Sequence, residues 1–224
     1  MVKLLLTDSG VTNQSILEAL VGLLGKPIEE CSALCIPTAG YGHPMSTPER
    51  AYRFISGRED HCPMSGLGWK KLGVLELTAL PSLERDRWVS WVQEADALLV
   101  NGGDALYLAQ WMRESGMADL LPTLGDKVWV GLSGGSMAMT PRVGSDFVQW
   151  KSPAGADAAL NFVNFSIFPH VGNPGCPDNT LEAAEKWAAE IGNPGYAIDY
   201  GTAIKVVDSK VEVISEGDWK LFNG

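Results

Sequence analysis

Trp129-Val130-Gly131-Leu132-Ser133-Gly134-Gly135-Ser136 runs an apolar strand straight into a Gly-x-Ser-x-Gly turn. A sharp strand-to-helix turn forces its central residue into a strained backbone conformation and lifts the side chain clear of the chain, which only small flanking residues tolerate. That makes Ser133 a candidate nucleophile. With 25 glycines in the sequence, a Gly-rich turn between elements is the ordinary alternative, so the motif needs its context. Residues 127–130 read as a buried strand and 136–139 as the first turn of a helix, which is the context an elbow requires.

Outward from the elbow, apolar runs and helical periodicities alternate. Residues 2–7 form an apolar run ending in Asp8-Ser9-Gly10, followed by Ile16, Leu17, Leu20, Leu23 and Leu24 at helical spacing, with Asn13 as cap and Gly25 as stop. Strands at 33–37, 72–77, 97–100 and 127–132 alternate with helices at 46–56, 83–94 and 105–115. This alternation predicts a mostly parallel sheet with helices on both faces. After the elbow the pattern loosens through 140–159. A strand is then predicted at 162–168 and a helix at 180–191, where Leu181, Ala184, Trp187, Ala188 and Ile191 make the apolar stripe. The tail, 203–207 and 211–214 about Asp208-Ser209-Lys210, reads as a C-terminal antiparallel hairpin. No repeat or linker interrupts residues 1–224, so one α/β domain is expected.

The composition is that of a globular chain, 46% hydrophobic and 20% charged. A net charge of −10 with no basic run argues against nucleic acid and anionic membrane as partners. No apolar stretch reaches membrane-spanning length and residues 2–6 are too short for a signal-peptide core, so a cytoplasmic location is expected. Cys31, Cys35, Cys62 and Cys176 show no Cys-x-x-Cys spacing, which suggests reduced, mostly structural thiols; no metal or organic cofactor is called for. Cys176, six residues after His170, is either a thiol near the site or a small loop hydrophobe.

A serine nucleophile needs a base, most often an imidazole held by a third group. Among three histidines, His43 and His61 lie in irregular Gly- and Pro-rich loops (39–48 and 57–69) that could wall a site. His170 closes the run Phe165-Ser166-Ile167-Phe168-Pro169, and carboxyl ends of strands are where α/β sheets bind ligands. His170 is therefore the expected base. An oxyanion hole is expected from the amides of Gly103, in Asn101-Gly102-Gly103-Asp104 at the end of another strand, and of Gly134 after the nucleophile. Asp104 doubles as a helix cap.

Taken together, Asn101-Gly102-Gly103-Asp104, Gly131-Leu132-Ser133-Gly134-Gly135 and Phe168-Pro169-His170, in this order and spacing, resemble the dipeptidase E (aspartyl dipeptidase) family of serine peptidases, to which cyanophycinases are related. The resemblance runs from about residue 96 to 201 and more loosely through the N-terminal strands. It implies a flavodoxin-like fold related to class I glutamine amidotransferases, hydrolysis of small peptides through an acyl-enzyme, and the chain order nucleophile, histidine, acid. By that pattern the acid belongs just before a glycine in 195–203, where this chain has Tyr200, with the carboxylate one residue earlier at Asp199. Asp199 is taken as the acid, with Tyr200 and Asp146 as the other two accounts. Many relatives carry alanine at the position of Gly134; glycine there is expected to keep the backbone amide while loosening the turn.

For an N-terminal aspartate a basic clamp would be needed; Lys186, Arg142 and Lys151 are the nearby cations, each also readable as a solvated surface charge. The oligomeric state, a homodimer included, stays open. An esterase on the same site and a silent binding protein of the same fold are the competing functions. Trp69, Trp88, Trp91 and Trp111 line a site or fill the core, the latter being the commoner fate.

Overall fold

The computed structural model describes residues 2–58, 64–153 and 156–224. His61 and Cys62 lie outside the described residues. The chain runs β1 (Lys3–Thr7), α1 (Gln14–Leu24), β2 (Ser32–Ile36), α2 (Ala39–Gly42), α3 (Pro48–Ser56), β3 (Lys71–Val74), α4 (Arg85–Glu94) and β4 (Ala97–Val100). It continues with α5 (Ala105–Glu114), α6 (Met117–Leu120), β5 (Val128–Leu132), α7 (Gly134–Met137), β6 (Ser166–Phe168), α8 (Leu181–Ile191), β7 (Gly195–Ile198), β8 (Thr202–Val207), β9 (Lys210–Ser215) and β10 (Trp219–Phe222). Seven strands form a sheet in the order β3-β2-β4-β5-β1-β8-β9, with the first five parallel and β8 and β9 antiparallel. The expected α/β architecture, parallel sheet and terminal hairpin are thus present.

β4 and β5 are buried at every residue, as a parallel strand covered on both faces must be. Side chains alternate across the sheet. Leu4, Leu6, Leu98, Val100 and Trp129 join a core with Trp88 of α4 and Leu108 and Met112 of α5. Leu5, Leu99, Val128, Val130 and Leu132 join another with Ile16 and Leu20 of α1 and Phe54 of α3. At about 1.5–3 kcal/mol for each large side chain withdrawn from water, these two layers supply the main driving force for folding.

Capping follows the sequence. Asn13 accepts from the Ile16 amide at 2.9 Å and Asp104 from the Tyr107 amide at 2.8 Å, while Gly25 and Gly192 close α1 and α8 in the left-handed conformation. The β8–β9 hairpin turns on Asp208 and Ser209, both at positive φ (48° and 64°), the backbone that a two-residue hairpin loop demands.

Two features differ from the expectation. The strand expected at 162–168 is only Ser166–Phe168, and it belongs to a second sheet, β10-β7-β6. The amides of Phe162 and Val163 donate instead to the Met139 carbonyl (2.8 and 3.2 Å), which ties residues 162–163 to the chain after α7. β10 has no counterpart in the sequence reading; it pairs antiparallel with β7 in register Trp219↔Ile198 to Phe222↔Gly195.

No helix among the described residues is long and apolar enough to cross a membrane. Trp88, Trp129 and Trp187 are core residues; Trp69 donates to the Met64 carbonyl at 2.8 Å, Trp111 packs on the core beside Tyr107, and Trp91 is partly exposed under Arg87.

Candidate active site

β5 delivers Ser133 at the carboxyl edge of the sheet with φ 47° and ψ −112°, a conformation that costs a non-glycine residue about 1–3 kcal/mol. The surroundings hold it there. The Ser133 amide donates to the Thr7 carbonyl at 3.1 Å, and its carbonyl accepts from Ser136 (2.8 Å) and Met137 (2.9 Å). The Trp129 indole donates to the Gly135 carbonyl at 3.1 Å, pinning the start of α7 back onto β5. A Cβ on Gly131 would stand 2.6 Å from the Gly135 carbonyl oxygen, and one on Gly135 would stand 2.6 Å from that of Val100. The glycines two before and two after Ser133 are therefore steric requirements of the turn.

His170 follows β6 and Pro169, and its Nε2 lies 2.8 Å from Ser133 Oγ. It too has positive φ, 63°. The Pro169 carbonyl is held by the Asn179 side-chain amide at 2.9 Å, and the Val171 amide donates to Ile198 at 3.1 Å, so both flanks of the histidine are fixed.

The carboxylate facing His170 is Asp8, not Asp199. Asp8 Oδ2 lies 3.1 Å from His170 Nδ1, and Asp8 Oδ1 accepts from the His170 backbone amide. Asp8 is 0% exposed. It directly follows β1, which pairs with β5 in register Thr7↔Leu132, so Asp8 comes level with Ser133 on the neighbouring strand. Asp199 is engaged elsewhere: Oδ1 accepts from the Gly201 amide (3.0 Å) and Thr202 Oγ1 (2.7 Å), and Oδ2 from the Asp218 amide (2.7 Å). Tyr200 is 43% exposed and Asp146 sits exposed on the turn 145–147. The sequence shows Asp8 at the end of an apolar strand, but not that this strand lies beside β5, which is what makes it the partner of His170.

Gly103, at φ 137°, packs so closely on the chain entering α2 that a Cβ would lie 2.3 Å from the Ala39 carbonyl oxygen. A Cβ on Gly102 would lie 3.3 Å from that of Ser133, and one on Gly134 would lie 2.2 Å from the Gly103 carbonyl oxygen. The two glycines expected to hold an oxyanion therefore meet beside Ser133. Asp104 anchors this loop, its Oδ2 accepting from the Trp150 amide at 2.8 Å, and burial pushes its carboxyl pKa up.

An alanine at position 134 would meet a fixed backbone here. Gly134→Ala is expected to force the 101–104 loop off the elbow, lowering the reaction rate of Ser133 with a fluorophosphonate by about 10²-fold or more, the scale of one lost oxyanion donor. Stopped-flow or gel-based labelling kinetics check this, and a variant reacting at the wild-type rate would show that the loop can yield.

Of the cations, Arg142 is bound to both oxygens of Asp157 through Nε (3.1 and 3.0 Å) and Lys186 to Glu182 at 2.8 Å. Lys151 lines, with Arg142, Ser145 and Glu190, a cavity of about 380 Å³ whose walls include neither Ser133 nor His170. His43, in the segment after α2, has its pKa lowered by burial and by Arg50 and raised by Asp104. Cys176 comes near the site, its thiol pushed up by burial and by Asp8.

Two solved structures share this fold. One, from Listeria monocytogenes EGD-e and provisionally called a peptidase E, superposes with a TM-score of 0.66 at 20% identity, covering 97% of this chain and 100% of that one. The other, a peptidase from an acI-B1 Actinobacterium, gives 0.57 at 20% identity, covering 99% and 94%. No curated protein matches the chain. The model of peptidase family S51 matches residues 4–214. With its elbow serine, the histidine on it and this match across nearly the whole sequence, the chain belongs to peptidase family S51, the dipeptidase E family of serine peptidases.

Proposed function

We propose that the protein hydrolyses small peptides through an acyl-enzyme on Ser133, with His170 as general base. The observation that carries this reading is the 2.8 Å contact between Ser133 Oγ and His170 Nε2 at a strained strand-to-helix turn. His170 Nε2 takes the hydroxyl proton as Oγ bonds to the scissile carbonyl carbon. The same proton then goes to the leaving amine as the carbon–nitrogen bond breaks, and a water repeats the sequence to release the acid. The amides of Gly103 and Gly134 hold the oxygen on which charge develops. The match to a peptidase family supports the reading, and the two structural neighbours carry peptidase names.

A dipeptide and tripeptide panel, N-terminal Asp included, together with short acyl esters and a fluorophosphonate probe, tests the reading. Peptide cleavage that stops as the probe attaches to Ser133 is expected. Cleavage of esters with no peptide cleaved would assign the site to an esterase, and absence of labelling at Ser133 would sink the nucleophile.

A further inference from the structure

We propose that Asp8 is the residue that positions His170 for catalysis, so that in this chain the acid stands first, before nucleophile and base. The proposal rests on the reading of Ser133 and His170 given above.

Four observations carry it. The Asp8 carboxylate grips His170 twice, by the ring at Nδ1 (3.1 Å) and by the backbone amide. The ring contact fixes the tautomer: with Nδ1–H donated to Asp8, the Nε2 lone pair faces Ser133 Oγ, the only arrangement in which the imidazole can accept the hydroxyl proton. The backbone contact helps hold His170 at φ 63°, a conformation uncommon for a non-glycine residue.

Burial is the second observation. Asp8 is fully enclosed, so its charge acts on the imidazolium formed during attack through a medium that screens poorly, with the attraction several-fold larger than in water. The third is the support of the carboxylate itself. Ser9 Oγ donates to Oδ2 at 2.7 Å, and the Asp8 amide donates to the Thr202 carbonyl at 3.2 Å, so the grip does not swing.

The fourth is what Asp199 does. Its oxygens are taken by Gly201, Thr202 and Asp218, and a Cβ on Gly217 would fall 2.2 Å from Oδ2, so it serves as a clip closing the turn between β7 and β8. The move from one strand end to the other is short. β8 is the antiparallel neighbour of β1, pairing Ala203 with Thr7, and the turn holding Asp199 is hydrogen-bonded to Asp8 through Thr202.

The test compares Asp8→Asn, Asp8→Ala and Asp199→Asn on the full chain. For Asp8→Asn the second-order rate of fluorophosphonate labelling is expected to fall by about 10³–10⁴, because the neutral amide can donate its NH2 to Nδ1, which favours the tautomer with the proton on Nε2, and carries no charge to stabilise the imidazolium. Asp199→Asn is expected to label within about threefold of wild type, with a lowered melting temperature from its loosened turn. Added formate should restore part of the labelling of Asp8→Ala, a rescue that a folding defect does not allow.

An independent readout is the low-field proton resonance of His170 Nδ1–H in a ¹⁵N-edited spectrum, expected in wild type and Asp199→Asn and lost in Asp8→Asn. The spectrum decides even where an Asp8 variant does not fold, since its absence from wild type overturns the assignment. So does a folded Asp8→Asn that labels like wild type. Failure of the nucleophile reading looks different: Ser133→Ala and wild type would then label alike.

Discussion

Ser133→Ala is expected to lose fluorophosphonate labelling completely and to lower peptide turnover by about 10⁶-fold, the scale seen when a serine nucleophile is removed from a site whose members act as a unit. What remains is the share expected from the proposed oxyanion donors, the Gly103 and Gly134 amides, and from substrate binding. Ser133→Gly separates chemistry from strain. Both variants lose the hydroxyl and its contact with His170, but alanine stays trapped at φ 47°, ψ −112°, where glycine is at ease. Relief of part of the 1–3 kcal/mol of strain, less the entropy of a freer unfolded chain, leaves a gain of about 1 kcal/mol. Ser133→Gly should therefore melt about 2–4 °C above Ser133→Ala. Equal melting temperatures would mean that the turn stores no strain, and labelling of either variant would place the nucleophile elsewhere.

The same elbow explains what was legible in advance. Gly131, Ser133 and Gly135 lie within five residues, and their constraint is local, so the sequence displays it. His170 was legible because a Phe-Ser-Ile-Phe run ends just before it, and Gly103 because a buried strand ends three residues earlier. The acid was not, because its identity depends on which strands are neighbours. Asp199 follows β7 of the second sheet, whereas Asp8 follows β1 beside β5, and the register Thr7↔Leu132 sets Asp8 level with Ser133, where His170 meets it. Strand order is a long-range property, with 124 residues between Asp8 and Ser133, on which local pattern is silent. β10 escaped for a related reason. Trp219-Lys220-Leu221-Phe222 has too few residues to show a period, and becomes a strand only because β7 offers it an edge.

The displaced acid also bears on the choice between enzyme and silent relative. Tyr200 in the place of an acid argues for lost catalysis only if no other carboxylate reaches His170. Asp8 reaches it, enclosed and braced by Ser9, and membership in a peptidase family agrees with a working site.

Trp129→Ala is the substitution expected to damage the fold most. Trp129 is 0% exposed, lies in the middle of the central strand β5 beside Leu4 and Leu98, and touches no solvent through which its cavity could relax. Removing a buried indole costs about 3–5 kcal/mol, and the Gly135 carbonyl then loses its donor at a further cost of about 1–3 kcal/mol. Against a typical total of about 5–15 kcal/mol, the variant should be largely unfolded or soluble only in the cold. Trp129→Phe divides the effect. It keeps most of the ring's packing and drops the 3.1 Å bond, so the midpoint of urea unfolding should fall by the equivalent of about 1–3 kcal/mol at unchanged slope. Because that bond ties Gly135 to the strand that presents Ser133, labelling of the folded fraction should slow as well. A folded Trp129→Phe that labels at the wild-type rate would show that the glycines alone hold the elbow, and that the indole serves the core and not the site.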